Sequence, residues 1–569
     1  MSVIPAQKPA SPLHTSGQRV FWMGSGLFLA GLIALMVSGW FARYLQDDYC
    51  FDFLLKRGDF WNAQVFTFLN EVTFNGNRIS TNLVMGILAQ VGPLSARLVP
   101  GFLVLSWLTA AYWLLLELSW LLDWHWPTAF LFFCSTLIVL FSLVQAPNLY
   151  QVLFWRPAAI TYLMPLVLLT FLCALNFHLI RNDQLSLGFL IISGLLAFWV
   201  GAFSETAAVF QFGLLMELIL WLRIKKPFGP HLQLSAVRYF KAAGVGSSLA
   251  ILVLIAAPSA HLRQAALFPQ PPWLLEMFRI SVDGIHQFLL LTLYRQTIPT
   301  LLTFLTFFFA GFLFSHSSQK TFSLPRPRLW VHLLIATLGG FVLLLCIYLP
   351  SAYASSSPPE QRALLWARFT LVGVELLISM IMGDWMGRTF KRLTRRRSLV
   401  ALGLFLALAS ILFIAFVPAK VAFQPAFPEI RNWLKQEPYR WGIVILLFLF
   451  SFWIVTHIKL EKSSMEEWVP LLLAVLILSM ALFSLPGIFK AIPEYQLRAQ
   501  LWDWRDARIR SAIQRGMYEI ELPAVDSIAD VAELQADANY WVNNCAERFY
   551  GMKSIRAVPP ALTGIPPDE

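Results

Sequence analysis

Two adjacent carboxylates, Asp47 and Asp48, stand in the stretch Arg43-Tyr-Leu-Gln-Asp47-Asp48-Tyr49-Cys50-Phe, about one helical turn beyond a long apolar run. A carboxylate there could act as a general base. It would take the proton from an acceptor hydroxyl as that oxygen attacks the anomeric carbon of a sugar. Two neighbours could instead share a divalent cation (Mg2+, Mn2+ or Ca2+), because hard oxygen ligands suit those ions. An Asp-capped interfacial turn, common where a helix leaves lipid, would use the same residues. The residues alone leave all three readings open.

Other side chains could serve the same chemistry. A phosphate-bearing ligand needs cationic contacts, and the planar fork of Arg can bind phosphate oxygens bidentately. Arg78, Arg156, Arg263, Arg295, Arg362 and Arg368 fall on the same predicted side as the acid pair. Each could equally be an anchor that snorkels from lipid to headgroup. Glu205 sits at a tight turn between two apolar runs, where it could bind a sugar hydroxyl, orient an Arg or assist the base. Glu375 lies about two turns into a later run, and an intramembrane acid is expensive without a partner or a cavity. Trp155 and Tyr162 could stack on a sugar face or belong to an interfacial aromatic belt.

The elements that must position these residues are membrane helices. The chain has 569 residues, 58% hydrophobic and 13% charged, with a mean hydropathy of +0.64. Soluble chains average about 45–50% apolar and about 25% charged. The apolar residues fall into runs of roughly 18–23, the length that crosses about 30 Å of hydrocarbon as a helix. An all-α polytopic membrane protein with about thirteen spanning helices follows. Their expected positions are 20–42, 98–121, 128–146, 158–180, 185–203, 206–223, 242–258, 296–315, 329–350, 368–388, 399–417, 441–458 and 467–487. The stretch 80–92 is too short and too bounded by Gly and Pro to span, and reads as a juxtamembrane or re-entrant helix.

The net charge of +11 resides largely in short loops, so it orients helices and does not point to nucleic acid. Arg223 to Lys226, Lys320 with Arg326 and Arg328, Arg388 to Arg397, and Lys459 with Lys462 share one side, expected to be cytoplasmic. The N-terminal tail 1–19 lies with them. The first loop 43–97 and the segments 259–295, 351–367 and 418–440 lie opposite. An odd number of crossings places the C-terminal segment 488–569 outside too, where it would cap the membrane domain 20–487. Within that segment, Leu501 to Ile513 has the apolar spacing of an amphipathic helix.

Five cysteines are too few for a disulfide framework and lack metal-ligand spacing. Cys134, Cys173 and Cys346 read as small apolar packers. Cys50 and Cys545 fall on one predicted side, where a disulfide between them could form.

Several segments together resemble the GT-C superfamily, polytopic glycosyltransferases that use polyprenyl-phosphate carriers. These are the first helix followed by Asp-Asp-Tyr, the long outer loop, and the Asn75-Gly-Asn77-Arg78 turn. Phe154-Trp155-Arg156-Pro-Ala-Ala-Ile-Thr-Tyr162, Phe203-Ser-Glu205-Thr, Pro358-Pro-Glu-Gln-Arg362 and Trp541-Val-Asn543-Asn-Cys-Ala-Glu-Arg-Phe-Tyr550-Gly551 add to the likeness. It is greatest to a bacterial branch related to O-antigen glucosyltransferases. That branch prefers Gly-Arg-Phe where this chain has Asn77-Arg78-Ile79. The resemblance implies a multi-pass protein of the bacterial plasma (inner) membrane. It would move a sugar from a polyprenyl-phosphate-linked donor to a glycan or lipid acceptor, with one Asp of the pair as base and Asp48 slightly favoured. Tyr49, Arg78, Trp155, Arg156, Tyr162, Glu205, Arg362 and Arg368 would then contact substrate.

The residues agree independently on one point. The chain has no Walker A loop, no Gly-x-Gly-x-x-Gly after a strand, and no His-Glu-x-x-His. No soluble segment is large enough for a nucleotide-sugar domain, so a sugar donor would be membrane-embedded and nucleotide-free. A transporter or flippase of lipid-linked glycans or small molecules is the alternative, and would draw on Glu117, Glu217 and Glu375. It would be expected to show pseudo-symmetric halves, which the chain does not. A glycan polymerase or ligase would carry its chemistry in a late loop, and a non-catalytic assembly protein would need none of it.

Overall fold

The computed structural model describes residues 12–56, 59–71, 75–124, 126–316, 329–390 and 464–559. Among these, nine helices are long and apolar enough to cross a bilayer: Ser16–Trp40, Leu94–Leu121, Arg156–Arg181, Glu205–Lys225, Pro230–Ala256, Ile298–Ser315, Leu329–Ser355, Leu365–Thr389 and Val469–Gln514. All nine coincide with expected spans. Two more expected spans are helical but shorter, Thr128–Val144 and Leu187–Gly201. The expected spans 399–417 and 441–458 lie outside the described residues. Leucines on the long helices point outward, with Leu252 62% and Leu482 72% exposed. Lipid rather than water is the solvent such surfaces require. The protein is a helical, multi-pass membrane protein.

Small residues let these helices approach closely. A Cβ on Gly246 would sit 1.9 Å from the backbone oxygen of Gly194, so helices Leu187–Gly201 and Pro230–Ala256 pack backbone to backbone there.

Between the first two spans the chain builds a compact helical loop. We label the first helix α1 (Pro12–Trp40), followed by α2 (Asp47–Leu55), α3 (Phe60–Asn70), α4 (Ile79–Val91) and the second span α5 (Leu94–Leu121). The stretch expected as a juxtamembrane helix is α4. Asp59 caps α3, its carboxylate accepting from the N–H groups of Trp61 and Asn62. The turn into α4 requires Gly76, because a Cβ there would lie 2.2 Å from the Thr67 carbonyl oxygen.

Two features of the C-terminal segment correct the sequence reading. The last described membrane helix does not stop near 487 but continues as one helix, Ser464–Gln514, with Pro486 and Pro493 inside it. The expected amphipathic helix is therefore its outer end. The segment is also not wholly helical: β1 (Glu519–Pro523) pairs in parallel with β2 (Ser554–Val558), with helix Trp541–Tyr550 between them. Parallel pairing needs a crossover, and the 30 residues from Ala524 to Lys553 supply it.

This segment packs on the first outer loop. Trp502, Ile509, Leu522, Val542, Ala546 and Ile555 share an apolar core with Tyr44 and Tyr49. Arg43 grips Asp503 with two bonds of 2.7 Å. The Trp502 indole N–H donates to the Tyr44 carbonyl and the Tyr49 hydroxyl. Cys50 and Cys545 form a disulfide with Cα atoms 4.8 Å apart, joining α2 to helix Trp541–Tyr550. Loss of a disulfide typically removes about 2–4 kcal/mol. Cys545→Ser is expected to lower the melting temperature and expose the chain beyond residue 514 to protease. Limited proteolysis with and without reductant checks this; equal digestion under both conditions would mean that the bridge does not hold the cap.

Candidate functional site

A cavity of about 270 Å³ lies where the loop between the first two spans, the span ends and the C-terminal segment meet. That volume is near the lower end of small-molecule sites, roughly 300–1,000 Å³. Its lining comes from consistently placed ends: Gln46 and Asp47 just after the first span, and Trp155 to Tyr162 at the start of another. Arg263 follows span Pro230–Ala256, and Arg362 precedes span Leu365–Thr389. Arg78 and Thr81 enter from α4, and Trp541 from the C-terminal segment. One end of the bundle thus gathers residues some 500 positions apart in sequence.

Asp47 is the one carboxylate that lines the cavity. Burial is the largest influence on it and pushes its carboxyl up from 3.8 to about 6. Arg362 pulls the other way, Glu360 adds to the rise, and Arg263 and a hydrogen bond from the Gln46 side chain again favour the charged form.

Three arginines surround the space, each in a different state. Arg78 donates to Glu205 at 3.0 and 2.7 Å and lies 5.9 Å from the Tyr162 ring centroid. Asn77 also donates to Glu205, at 2.7 Å, so Glu205 fixes the turn that presents Arg78. Arg362 pairs with Glu360 and stacks over Trp155 at 5.1 Å. Arg263 forms no ion pair among the described residues, and its Nε has no hydrogen-bond partner. Burial and then the neighbouring positive charge of Arg78 hold its pKa below the usual arginine range. The buried Trp155 indole N–H is likewise without a partner. Unpartnered donors on Arg263 and Trp155 suit a ligand that offers anionic oxygens.

Asp48, favoured in the sequence reading, is turned away from this space. It is fully buried; its Oδ1 accepts from Arg156 Nε at 2.7 Å and its Oδ2 from the Leu45 N–H at 3.0 Å. Burial pushes its carboxyl up, while Arg156 and the Leu45 N–H pull it back. Arg156 is 2% exposed and also donates to Asp52, at 2.8 Å, to Tyr44 and to Ser95. Tyr44 in turn donates to the other Asp52 oxygen at 2.6 Å. Two carboxylates, one guanidinium and a phenol form a closed network inside the wall. The reason is helical phase: successive residues on α2 point about 100° apart. Asp47 therefore meets the cavity, while Asp48 and Asp52, one turn apart, meet the interior.

This geometry revises other expectations. Both Asp48 oxygens are engaged, by Arg156 and by the Leu45 N–H, so Asp47 and Asp48 do not face one common space in this structure. Among the described residues no three His, Cys, Asp or Glu gather as metal ligands. Tyr49 is buried against Trp502, under the C-terminal segment, and is not part of the cavity wall. Arg368 is 2% exposed within helix Leu365–Phe390 and also lies off the wall. Of the residues singled out by sequence, Asp47, Arg78, Trp155, Tyr162, Arg263 and Arg362 meet at the cavity, with Glu205 directly behind Arg78. Gln46 and Trp541 join them unforeseen. Trp541 opens one of the family-like segments, and Gln46 precedes the acid pair, so both stood beside the signal.

No family model, curated protein or solved structure matches this chain.

Proposed function

We propose that this protein is a membrane glycosyltransferase that moves a sugar from a polyprenyl-phosphate-linked donor to an acceptor hydroxyl, with Asp47 as the general base. The observation that carries the reading is the placement of one carboxylate in a cavity lined by three arginines and four aromatic rings, at the end of a membrane bundle. Arg263 and Arg362 would hold the donor phosphate, and Trp155, Tyr162 and Trp541 would face the sugar and the acceptor. Asp47 would take the acceptor proton as its oxygen bonds to the anomeric carbon. The carbon–oxygen bond to phosphate breaks, polyprenyl phosphate leaves as an anion beside the arginines, and a single displacement inverts the anomeric carbon. The acceptor is a glycan or a lipid.

The cavity would face the outside of a plasma membrane, with the N-terminus in the cytoplasm and the C-terminus outside. The basic loops support this placement, and so does the Cys50–Cys545 bridge, since disulfides persist in oxidising compartments.

Donor binding tests the reading without knowledge of the acceptor. A ligand that binds only the folded protein raises its melting temperature, by about 2.7 kcal/mol of stability at a hundredfold excess over Kd. Polyprenyl phosphate should stabilise the parent protein in nanodiscs. Arg263→Ala should weaken that binding about 10–100-fold, the worth of a hydrogen bond to a charged group. Absence of any stabilisation in well-folded protein would turn the choice toward transport, for which half-buried Glu375 and buried Arg368 are the natural starting residues.

A further inference from the structure

Span Pro230–Ala256 is followed by helix Pro258–Leu267 and then by helix Leu274–Arg295. From Gln264 to Leu275 no residue is charged, and the connection Phe268-Pro269-Gln270-Pro271-Pro272-Trp273 holds three prolines. Apolar side chains point outward along this stretch. Trp273 is 86% and Leu275 76% exposed, and Leu262, Leu267, Leu274 and Phe278 are exposed too. The stretch is nevertheless fixed in place. The Gln264 amide donates to the Pro269 and Ala354 carbonyls at 2.7 and 2.9 Å. The Phe268 N–H donates to the Gln264 carbonyl at 3.3 Å, and Arg263 lies over the Phe268 ring at 5.3 Å. Each proline removes one backbone N–H that would otherwise need a partner, which suits a turn meant for surroundings poor in water.

We propose that residues 267–278 are a monotopic insertion, seated in the headgroup–acyl boundary of the bilayer at the cavity end of the bundle. A contiguous exposed apolar surface marks a partner, and continuity identifies this one as lipid. The exposed side of span Pro230–Ala256 carries Val245, Leu249, Leu252 and Ile255, and Leu262 and Leu267 follow directly after it. Helical phase adds a second argument, since successive residues point about 100° apart. On helix Leu274–Arg295, Ser281, Gly284, Ile285 and Phe288 form a buried side. Gly284 lets that side close on span Leu329–Ser355, because a Cβ there would lie 2.7 Å from the Tyr348 ring. Glu276, Arg279 and Asp283 form the opposite side, exposed and paired with one another at 3.7 and 3.8 Å. Leu274, Phe278 and Leu275 fill the sector between. Protein, lipid and water on three sides of one helix is the arrangement of a helix lying in the interface. Trp273 adds a ring of the kind that favours that depth. Arg263, which lines the cavity from the same anchored stretch, would thereby sit close to headgroup level. This surface would seat in lipid whatever the cavity binds.

Nitroxide labels on introduced cysteines read the depth of this stretch, in full-length protein in liposomes of phosphatidylethanolamine and phosphatidylglycerol. Leu275→Cys and Trp273→Cys are compared with Leu252→Cys, on the lipid side of the span, and with Asp283→Cys, on the charged side of helix Leu274–Arg295. The parent protein taken through the same labelling supplies the background. That background should be low, because Cys134 and Cys173 are buried and Cys50 and Cys545 are bonded to each other. Oxygen concentrates in lipid, whereas a nickel chelate stays in water. The ratio of oxygen to nickel collisions at Leu275 should be several-fold higher than at Asp283 and approach that at Leu252. Trp273→Cys carries the test if Leu275→Cys folds poorly. A ratio no higher than at Asp283 overturns the proposal by placing the turn in water. Exclusion of both reagents overturns it as well, because the surface would then be covered by protein.

Discussion

Asp47→Asn is expected to lower sugar transfer by about 10²–10⁴-fold, the usual worth of a general base, and to leave the fold intact. Asn matches Asp in shape, so nothing in the wall must move. The sign of the pH effect follows from the raised carboxyl, about 6 against an ordinary 3.8. The protonated form is favoured by folding, so this group's stabilising contribution is complete below about pH 4 and is lost as pH rises through 6. At neutral pH the Asn protein should therefore melt no lower than the parent. Transfer by the parent should run the other way, rising with pH through about 6 as the base ionises. Initial rates from a polyprenyl-phosphate sugar between pH 5 and 8, with melting curves on the same samples, check both trends. Full activity in Asp47→Asn would remove the base assignment outright. Asp48→Asn gives the contrasting result: a drop in stability, because it weakens a buried pair, before any specific loss of chemistry.

That contrast marks where the sequence stopped being informative. Hydropathy placed the long helices because each must be apolar over its own length, a local property. Local pattern also identified the first loop, the short α4 and the amphipathic stretch near Trp502. The division of labour between Asp47 and Asp48 is not local. It depends on Arg156, 108 positions away, filling the space under α2. One sign was available: Asp48 and Asp52 are four apart, so they share a helix face, and two like charges on a buried face demand a cation. Phe154-Trp155-Arg156-Pro157 read as a candidate phosphate contact because a motif does not say which side of a wall an Arg faces. The continuous helix Ser464–Gln514 was hidden by Pro486 and Pro493, which usually end a helix in water. Neighbouring helices and membrane packing can satisfy the carbonyls that a proline leaves free.

Arg156→Ala is expected to destabilise the protein by about 3–5 kcal/mol, the range for breaking a buried ion pair by removing one partner. Asp48 and Asp52, both with 0% exposure, would lose their shared guanidinium. Lys56, 3.9 Å from Asp52 and 41% exposed, is a poor substitute. Since a whole domain is stable by only about 5–15 kcal/mol, the variant should show a large loss of folded protein by fluorescence-detected size exclusion and by thermal melting. A rescue distinguishes this structural role from a substrate contact. Combining Arg156→Met with Asp48→Leu and Asp52→Leu removes the whole charge set. Replacing a complete buried ion network by apolar residues of similar volume is often neutral or stabilising. The triple variant should therefore recover much of the folded fraction and still be stabilised by polyprenyl phosphate through Arg263 and Arg362. If it folds but no longer responds to the ligand, Arg156 returns to the binding site, and the wall described here must open when the donor arrives.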